Sequence, residues 1–79
     1  MSSFKKYFYQ NLGERVRYFR EKRGLTQERL SEIVDRGPKY IGHIERHERN
    51  ISTKILIKLI EFFEVQPEDF FNFEEKYKF

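Results

Sequence analysis

The chain has 79 residues, enough for one small domain, and its 16 Lys and Arg residues outnumber 13 Asp and Glu residues. It contains no cysteine, which excludes disulfides and thiolate zinc sites and favours an intracellular protein without covalent cross-links. The longest apolar stretch, ILIKLIEFFEV, includes Lys58 and Glu61 and is too short to span a bilayer, so we expect a soluble, cytoplasmic protein.

The charge is unevenly distributed along the chain. Residues 1–50 carry 12 Lys or Arg against 7 Asp or Glu, whereas residues 51–79 carry 4 against 6. A basic front half indicates a surface that meets a polyanion, although the solvated charged surface common in small domains gives the same pattern.

Two helices are predicted in the first part of the chain. The first has apolar residues every three or four positions, at Phe8, Leu12, Val16 and Phe19, and should end near Gly24. Thr26 is a suitable N-cap for the second. The inward side of that helix would be Leu30, Ile33 and Val34.

The third helix should begin at Gly37 and Pro38, because proline at the first helical position loses no needed hydrogen-bond donor. Ile41 and Ile44 would form its buried edge, and we expect it to end about His47.

Ser52 can cap a fourth helix whose inward residues are Leu56, Leu59, Ile60 and Phe63. Gln66 and Pro67 begin a short fifth helix that buries Val65 and Phe70. The sequence therefore predicts a single all-α domain of five helices, with a core of residues 8–71, an N-terminal extension 1–7 and a C-terminal tail 72–79.

Helices 2 and 3 are a helix-turn-helix candidate. The stretches LGERVRYFREKRGLTQERLSEIV, YIGHIERHERNIS and LIKLIEFFEV resemble the phage lambda repressor and XRE class of DNA-binding domains over residues 12–71. Asp35 and His47 stand where this family often has glycine. The RNIS and FEVQPEDFF segments are similar to the controller proteins of restriction-modification systems, which are freestanding dimeric regulators.

The resemblance implies that helix 3 lies in the major groove of double-stranded DNA. By position, the base-facing residues are Pro38, Lys39, Tyr40 and His43. Lys39 can donate to guanine acceptors, and Pro38 can pack on a thymine methyl. Two alternatives stay open, which are packing of the Tyr40 ring on the core and a phosphate contact for Lys39. Gly42 would leave room for close approach to the groove.

Phosphate contacts are implied at six positions, which are Thr26, Gln27, Arg36, Arg46, Arg49 and Asn50. Such contacts fix the register of the protein on the duplex without reading its sequence. The family also places an Arg and a Glu at positions 20 and 45. We expect Arg20 and Glu45 to form a partly buried ion pair that joins helix 1 to the end of helix 3.

A homodimer is predicted from surplus apolar residues in the back half of the chain. The predicted interface consists of Ile55, Phe62, Phe71 and Phe73, with Tyr77 and Phe79 adding aromatic surface. A two-fold interface away from helix 3 would suit a palindromic operator. The competing explanation is that Phe4, Tyr7 and Phe8 fold back and cover the cluster within one chain.

A metal site and a protein-interaction module are the alternatives to a DNA-binding domain. His43 and His47 are four apart and could hold a metal ion on one helical face, but no third ligand is evident and Ile44 replaces the glutamate of a zinc protease. We therefore expect no metal, no cofactor and no catalysis. The other alternative is a protein-interaction module, such as the partner-binding domain of an antitoxin, which keeps the fold without binding DNA.

Overall fold

The computed structural model describes residues 2–75, and over this range the chain forms five helices and no strand. The helices are α1 (Ser2–Lys22), α2 (Gln27–Ile33), α3 (Tyr40–Glu45), α4 (Thr53–Phe63) and α5 (Pro67–Phe70). The predicted all-α fold with five helices is confirmed. Tyr77 and Phe79, which entered the prediction of the dimer, lie outside the described residues.

Helix α1 is longer than the apolar stripe predicted. It begins at Ser2, so residues 2–7, which we had set apart as an extension, form its first turns. These turns have a packing partner, because the rings of Tyr7 and Phe8 lie 5.9 and 5.8 Å from the ring of Phe73. The N-terminal residues therefore extend α1 along the last segment of the fold.

Each of the helices α1 to α4 is followed, one or two residues after its end, by a residue in the left-handed region of backbone conformation. These residues are Gly24 (φ 69°), Asp35 (φ 60°), His47 (φ 64°) and Glu64 (φ 55°). In α2 the N–H of Arg36 then donates to the carbonyl of Ser31 at 2.9 Å, which is the closing hydrogen bond of a Schellman motif. Asp35 and His47 thus adopt the conformation that glycine adopts most easily.

Helix α3 begins two residues later than predicted. Its first residue is Tyr40, with Lys39 as the N-cap, and the N–H of Tyr40 donates to the carbonyl of Gly37 at 3.0 Å. Pro38 therefore lies in a turn before the helix and is not its first residue. The fixed φ of proline suits an early turn position as well as a first helical position, so the local sequence could not decide between them.

Ser31 supplies the hydrogen bond that the N-cap of α3 lacks. Lys39 makes no side-chain capping bond, whereas the buried hydroxyl of Ser31 accepts from the N–H of Ile41 at 3.0 Å. The same hydroxyl donates to the carbonyl of Gln27 at 2.8 Å. One side chain of α2 therefore satisfies a first-turn donor of α3 and fixes the distance between the two helices.

Glu45 joins three helices through its carboxylate, which is only 4% exposed. Arg20 of α1 donates to it with Nε at 2.7 Å and Nη2 at 3.1 Å. Gln27 of α2 donates with Nε2 at 2.9 Å. The pair expected from the resemblance is thus a two-pronged contact between an arginine fork and a carboxylate, with an amide as a third donor.

The apolar core corrects one residue of the predicted dimer interface. In α4 the buried residues are Ile55, Leu59 and Phe63, at intervals of four, so Ile55 lies in the core and is unavailable to a partner chain. Of the residues predicted to face inward, Leu59 and Phe63 are buried, whereas Leu56 and Ile60 are only partly buried. Phe63, on the same face as Leu59, packs against Phe19 with ring centroids 5.6 Å apart, and the ring of Phe19 stacks on that of Phe70.

The other predicted interface residues also have partners within the chain. Phe71 and Phe73 pack against Phe8, with ring centroids 6.3 and 5.8 Å away, which is the competing explanation for this cluster. Phe62 is half-buried and lies against Phe63 and under the guanidinium of Arg23, 5.2 Å from its ring. The predicted interface is therefore largely covered by the protein itself.

Arg15 holds α5 in place, a role that the sequence analysis missed. Its guanidinium is 3% exposed and donates to the carbonyl oxygens of Asp69 at 2.6 Å and Phe70 at 2.9 Å. It also pairs with Glu75 at 3.0 Å. These bonds join α1 to the last turn of α5, and at Asp69 they add to the backbone hydrogen bond from the N–H of Asn72.

We expect Ser31→Ala to lower the free energy of unfolding by about 1–3 kcal/mol, because it leaves the N–H of Ile41 buried without an acceptor. Urea unfolding followed by circular dichroism measures the change. Ser3→Ala, at an exposed position of α1, is the control and should change stability by less than about 0.5 kcal/mol. Equal effects of the two substitutions would show that the hydroxyl of Ser31 does not hold α3.

We expect Glu45→Gln to lower the free energy of unfolding by about 2–3 kcal/mol, since it removes the buried charge that accepts two hydrogen bonds from Arg20 and leaves that guanidinium with the longer contact to Glu21, at 3.7 Å. The same change at Glu32, whose ion pair with Arg29 is exposed, should cost less than about 1 kcal/mol. Base preference in DNA binding should not change with Glu45→Gln. Unchanged melting together with an altered base preference would instead assign Glu45 to the DNA surface.

Candidate nucleic-acid interface

Helix α3 has one side in the core and one side open. Ile41 and Ile44 are buried at 0% and 2% exposure, as predicted. Pro38 and Lys39 are exposed and His43 is half-exposed. On this open side lies a groove of about 330 Å³, lined by Arg36, Gly37, Pro38, Lys39, Tyr40, His43 and Arg49. The structure thus brings three of the four predicted base-facing side chains together on accessible surface.

Tyr40 is the exception, and its assignment as a base-reading residue is corrected. Its residue exposure is 7%, so the ring packs on the core, the alternative that the sequence left open. The guanidinium groups of Arg36 and Arg49 lie 5.8 and 5.3 Å from the ring centroid, within the range of cation–π attraction. Tyr40 therefore orients two cations at the edge of the groove.

Glu48 is a functional candidate that the sequence analysis missed. One carboxylate oxygen lies 2.7 Å from Nδ1 of His43, and the carboxylate accepts from Arg46 at 3.3 and 3.4 Å. The hydrogen bond with His43, and then those with Arg46, hold the pKa of Glu48 below its ordinary value. A base-facing residue and a predicted phosphate ligand thus share one carboxylate.

The side chain of Gln27 occupies the space next to Gly42. A Cβ atom on Gly42 would lie 3.0 Å from Oε1 of Gln27 and 3.0 Å from Nη1 of Arg46. The room that glycine leaves is filled by the protein itself, which corrects our expectation that it serves approach to the groove.

The hydroxyl of Thr26 caps α2 by accepting from the N–H of Arg29 at 3.0 Å.

The segment after α3 carries the remaining predicted phosphate ligands. Arg46, Arg49 and Asn50 are all exposed. Asn50 lies beside a second cleft, of about 360 Å³, whose other lining residues are Lys5, Lys6, Tyr9, Gln10 and His47. The adjacent lysines of the sequence FKKY were the signal that could have connected α1 with this side of the molecule.

The helical spacing on which the metal hypothesis rested is absent. Helix α3 ends at Glu45 and His47 turns into the left-handed region, so the two histidines do not share a helical face. His47 lies against α1, with its Nδ1 3.2 Å from the Cβ that Gly13 would carry if substituted. Within residues 2–75 no cluster of three or more potential metal ligands occurs.

In the same range no helix combines the length and apolarity needed to cross a membrane.

Comparison with known proteins agrees with the geometry. The family profile described as Helix-turn-helix matches residues 16–70. The chain is 46% identical over 48 residues to the control protein C.SmaI of Serratia marcescens, which covers 61% of this chain and 57% of that protein. It is 34% identical over 58 residues to the HTH-type transcriptional regulator PrpR of Mycobacterium tuberculosis, covering 73% of this chain and 12% of PrpR.

Among solved structures, the restriction-modification controller protein C.AhdI from Aeromonas hydrophila is similar, with a TM-score of 0.70 and 31% identity. The likeness covers 78% of this chain and 94% of that one. Since the profile extends from α1 to α5 and the fold agrees with that of C.AhdI, this chain belongs to the helix-turn-helix family of the lambda repressor and XRE type.

Proposed function

We propose that the protein is a sequence-specific, double-stranded DNA-binding transcription regulator that acts as a homodimer on a palindromic operator. The observation that carries this proposal is the open side of α3, where Arg36, Lys39 and Arg49 line a groove together with the half-exposed ring of His43. Arg46, directly after the helix, adds a further exposed cation. A rigid helix edged by cations matches the electrostatic and steric demands of the major groove.

The side chains divide into two roles. Pro38, Lys39 and His43 are the base-reading candidates, because they line the groove and are accessible. Arg36, Arg46, Arg49 and Asn50 are candidates for phosphate, as is Thr26. Gln27 also stays in this set: its amide has two N–H groups, of which one donates to Glu45, so the other can reach a phosphate oxygen.

The relatives support a regulatory role of the controller type. C.SmaI is a control protein and C.AhdI is a restriction-modification controller protein, and both matches cover more than half of this chain. We infer that the present chain likewise regulates transcription by occupying operator DNA. A protein-interaction module on the same fold would have no need for the cations around α3.

A second copy of the chain is the proposed partner of α4. Ile57 is 52% exposed and, by helical spacing, lies beside Ile60 on the flank that also includes Leu56. Both neighbours are only partly buried. This flank replaces Ile55 and Phe62 as the proposed interface. Two recognition helices held about 34 Å apart would then meet successive major grooves of a palindromic site.

We expect operator binding to depend strongly on salt, with a log–log slope of about −5 to −7 for a dimer that neutralises three or four phosphates per subunit. Arg46→Ala should reduce the magnitude of the slope by about two per dimer and weaken binding to all sequences. His43→Ala should leave the slope unchanged and instead flatten the preference at one base pair. Fluorescence anisotropy titrations on duplexes selected from a random pool measure both.

Lys22→Ala is the control for lost charge. Lys22 is the last residue of α1, does not line the groove at α3, and lies against the ring of Tyr18, 5.6 Å from its centroid. It should leave slope and preference unchanged. A wild-type slope near zero would contradict DNA binding and leave the protein-interaction alternative. If Arg46→Ala and His43→Ala acted alike, the division between phosphate and base contacts would be wrong.

We expect Ile57→Glu to produce a monomer in analytical sedimentation at micromolar concentration, because a carboxylate in an apolar interface is costly to desolvate. Loss of the second subunit should reduce operator affinity by about a hundredfold or more. The matched control is Phe4→Glu, which alters a second exposed apolar residue, 64% exposed on α1, and should leave the dimer intact. Dissociation by Phe4→Glu alone would move the interface to α1, and a monomeric wild type would contradict the homodimer.

A further inference from the structure

Glu48 contacts His43 through both its backbone and its side chain. Because His47 takes the left-handed conformation, the chain turns back at the end of α3, and the N–H of Glu48 donates to the carbonyl of His43 at 2.9 Å. The carboxylate then reaches Nδ1 of the same residue at 2.7 Å. The imidazole is thereby held by the backbone turn that ends its own helix.

This contact fixes which ring nitrogen of His43 carries a proton. An ionised carboxylate can only accept hydrogen bonds, and His43 and Arg46 keep the pKa of Glu48 below its ordinary value. The hydrogen in the contact therefore belongs to Nδ1. In the neutral imidazole, Nε2 then has no hydrogen and is an acceptor.

The remaining nitrogen is available to a ligand in the groove. His43 lines the groove on the open side of α3, and among residues 2–75 no group hydrogen-bonds to its Nε2. In the major groove the amino groups of adenine and cytosine are donors, whereas guanine presents acceptors. An acceptor at Nε2 therefore matches adenine or cytosine and mismatches guanine.

We propose that Glu48 is a positioning residue that locks His43 in the Nδ1–H tautomer, so that the neutral ring reads a base amino group. Protonation of the ring turns Nε2 into a donor and shifts the preference at the same base pair to guanine. This inference rests on the proposed function, because it assumes that α3 enters the major groove. It assigns specificity to a residue outside the helix that reads the DNA.

Several charged groups surround His43. One is the carboxylate of Glu48, shared with Arg46 of the same segment. The others approach from the turns before and after α3 and line the same groove: Arg36, Lys39 and Arg49. Glu48 is the one anion among these groups, so its removal leaves His43 surrounded by cations alone.

The tautomer can be tested on the free protein. Long-range ¹H–¹⁵N NMR of uniformly labelled protein at pH 8 should show His43 protonated at Nδ1, with His47 as an internal comparison. In Glu48→Ala the two nitrogens of His43 should become closer in protonation. The control Glu14→Ala removes the same charge from an exposed position of α1 and should change nothing. An Nε2–H ring in the wild type would overturn the proposal without bearing on DNA binding.

Base readout is tested on the duplex selected from a random pool, varied at the base pair whose preference is lost in His43→Ala. At pH 8 the wild type should prefer adenine or cytosine over guanine there by about fivefold, the size of one neutral hydrogen bond. At pH 5.5 guanine should become the preferred base. Glu48→Ala should lose both the preference at pH 8 and its reversal, while Glu14→Ala keeps them.

Two outcomes separate this inference from the function on which it rests. Salt-dependent operator binding by the wild type, with a guanine preference at pH 8 or with no change of preference between the two pH values, would overturn the role of Glu48 and leave the regulator intact. Failure of the wild type to bind any duplex would overturn the proposed function and this inference with it.

Discussion

The buried carboxylate of Glu45 is the interaction on which the rest of the interface depends. Helix α3 has six residues, too few to be stable by itself in water, so its position must come from tertiary contacts. Glu45 receives Arg20 from α1 and Gln27 from α2. With the hydroxyl of Ser31 at the other end of the helix, both termini of α3 are tied to its neighbours.

The contacts that hold α3 in place do not involve the side chains on its outward side. The polar groups that hold α3 in place belong to α1 and α2, and its apolar anchors Ile41 and Ile44 are buried. The outward residues can therefore vary in chemistry with little consequence for the fold. A recognition element that is rigidly placed and chemically unconstrained is suited to read different operators.

Much of the fold could be predicted because its signals are local. Thr26 and Ser52 cap α2 and α4 as their positions suggested, each accepting from the N–H three residues on. The start of α3 could not be predicted, because no capping side chain next to the helix marks it. The N–H of Ile41, in the first turn, instead donates to the hydroxyl of Ser31, which lies ten residues earlier in the chain. In α4, apolar residues nearly encircle the helix, so periodicity alone did not separate Ile55 from Leu56 as the inward position.

The site residues that were missed depend on distant or conformational partners. Arg15 looked like one more surface charge of α1, and its acceptors lie 54 and 55 residues further along the chain. Glu48 reaches His43 because His47 adopts a left-handed conformation, which histidine itself does not signal and which only the glycine common at this position in the family suggests. The resemblance to a family singled out the cations Arg36 and Arg49, but it could not tell that both lie against the ring of Tyr40.

The cations around α3 are held in two different ways, with different consequences for DNA binding. Arg36 and Arg49 lie against the ring of Tyr40, and among the described residues neither has an acidic partner, so they are oriented while their charge stays available to phosphate. Arg46 is instead paired with Glu48, and a phosphate must compete with that carboxylate for it. Under the proposed function, Arg36 and Arg49 would attract the phosphates of any sequence, whereas a phosphate that binds Arg46 would have to replace Glu48. This replacement would restrain binding to sequences that offer no contact to His43.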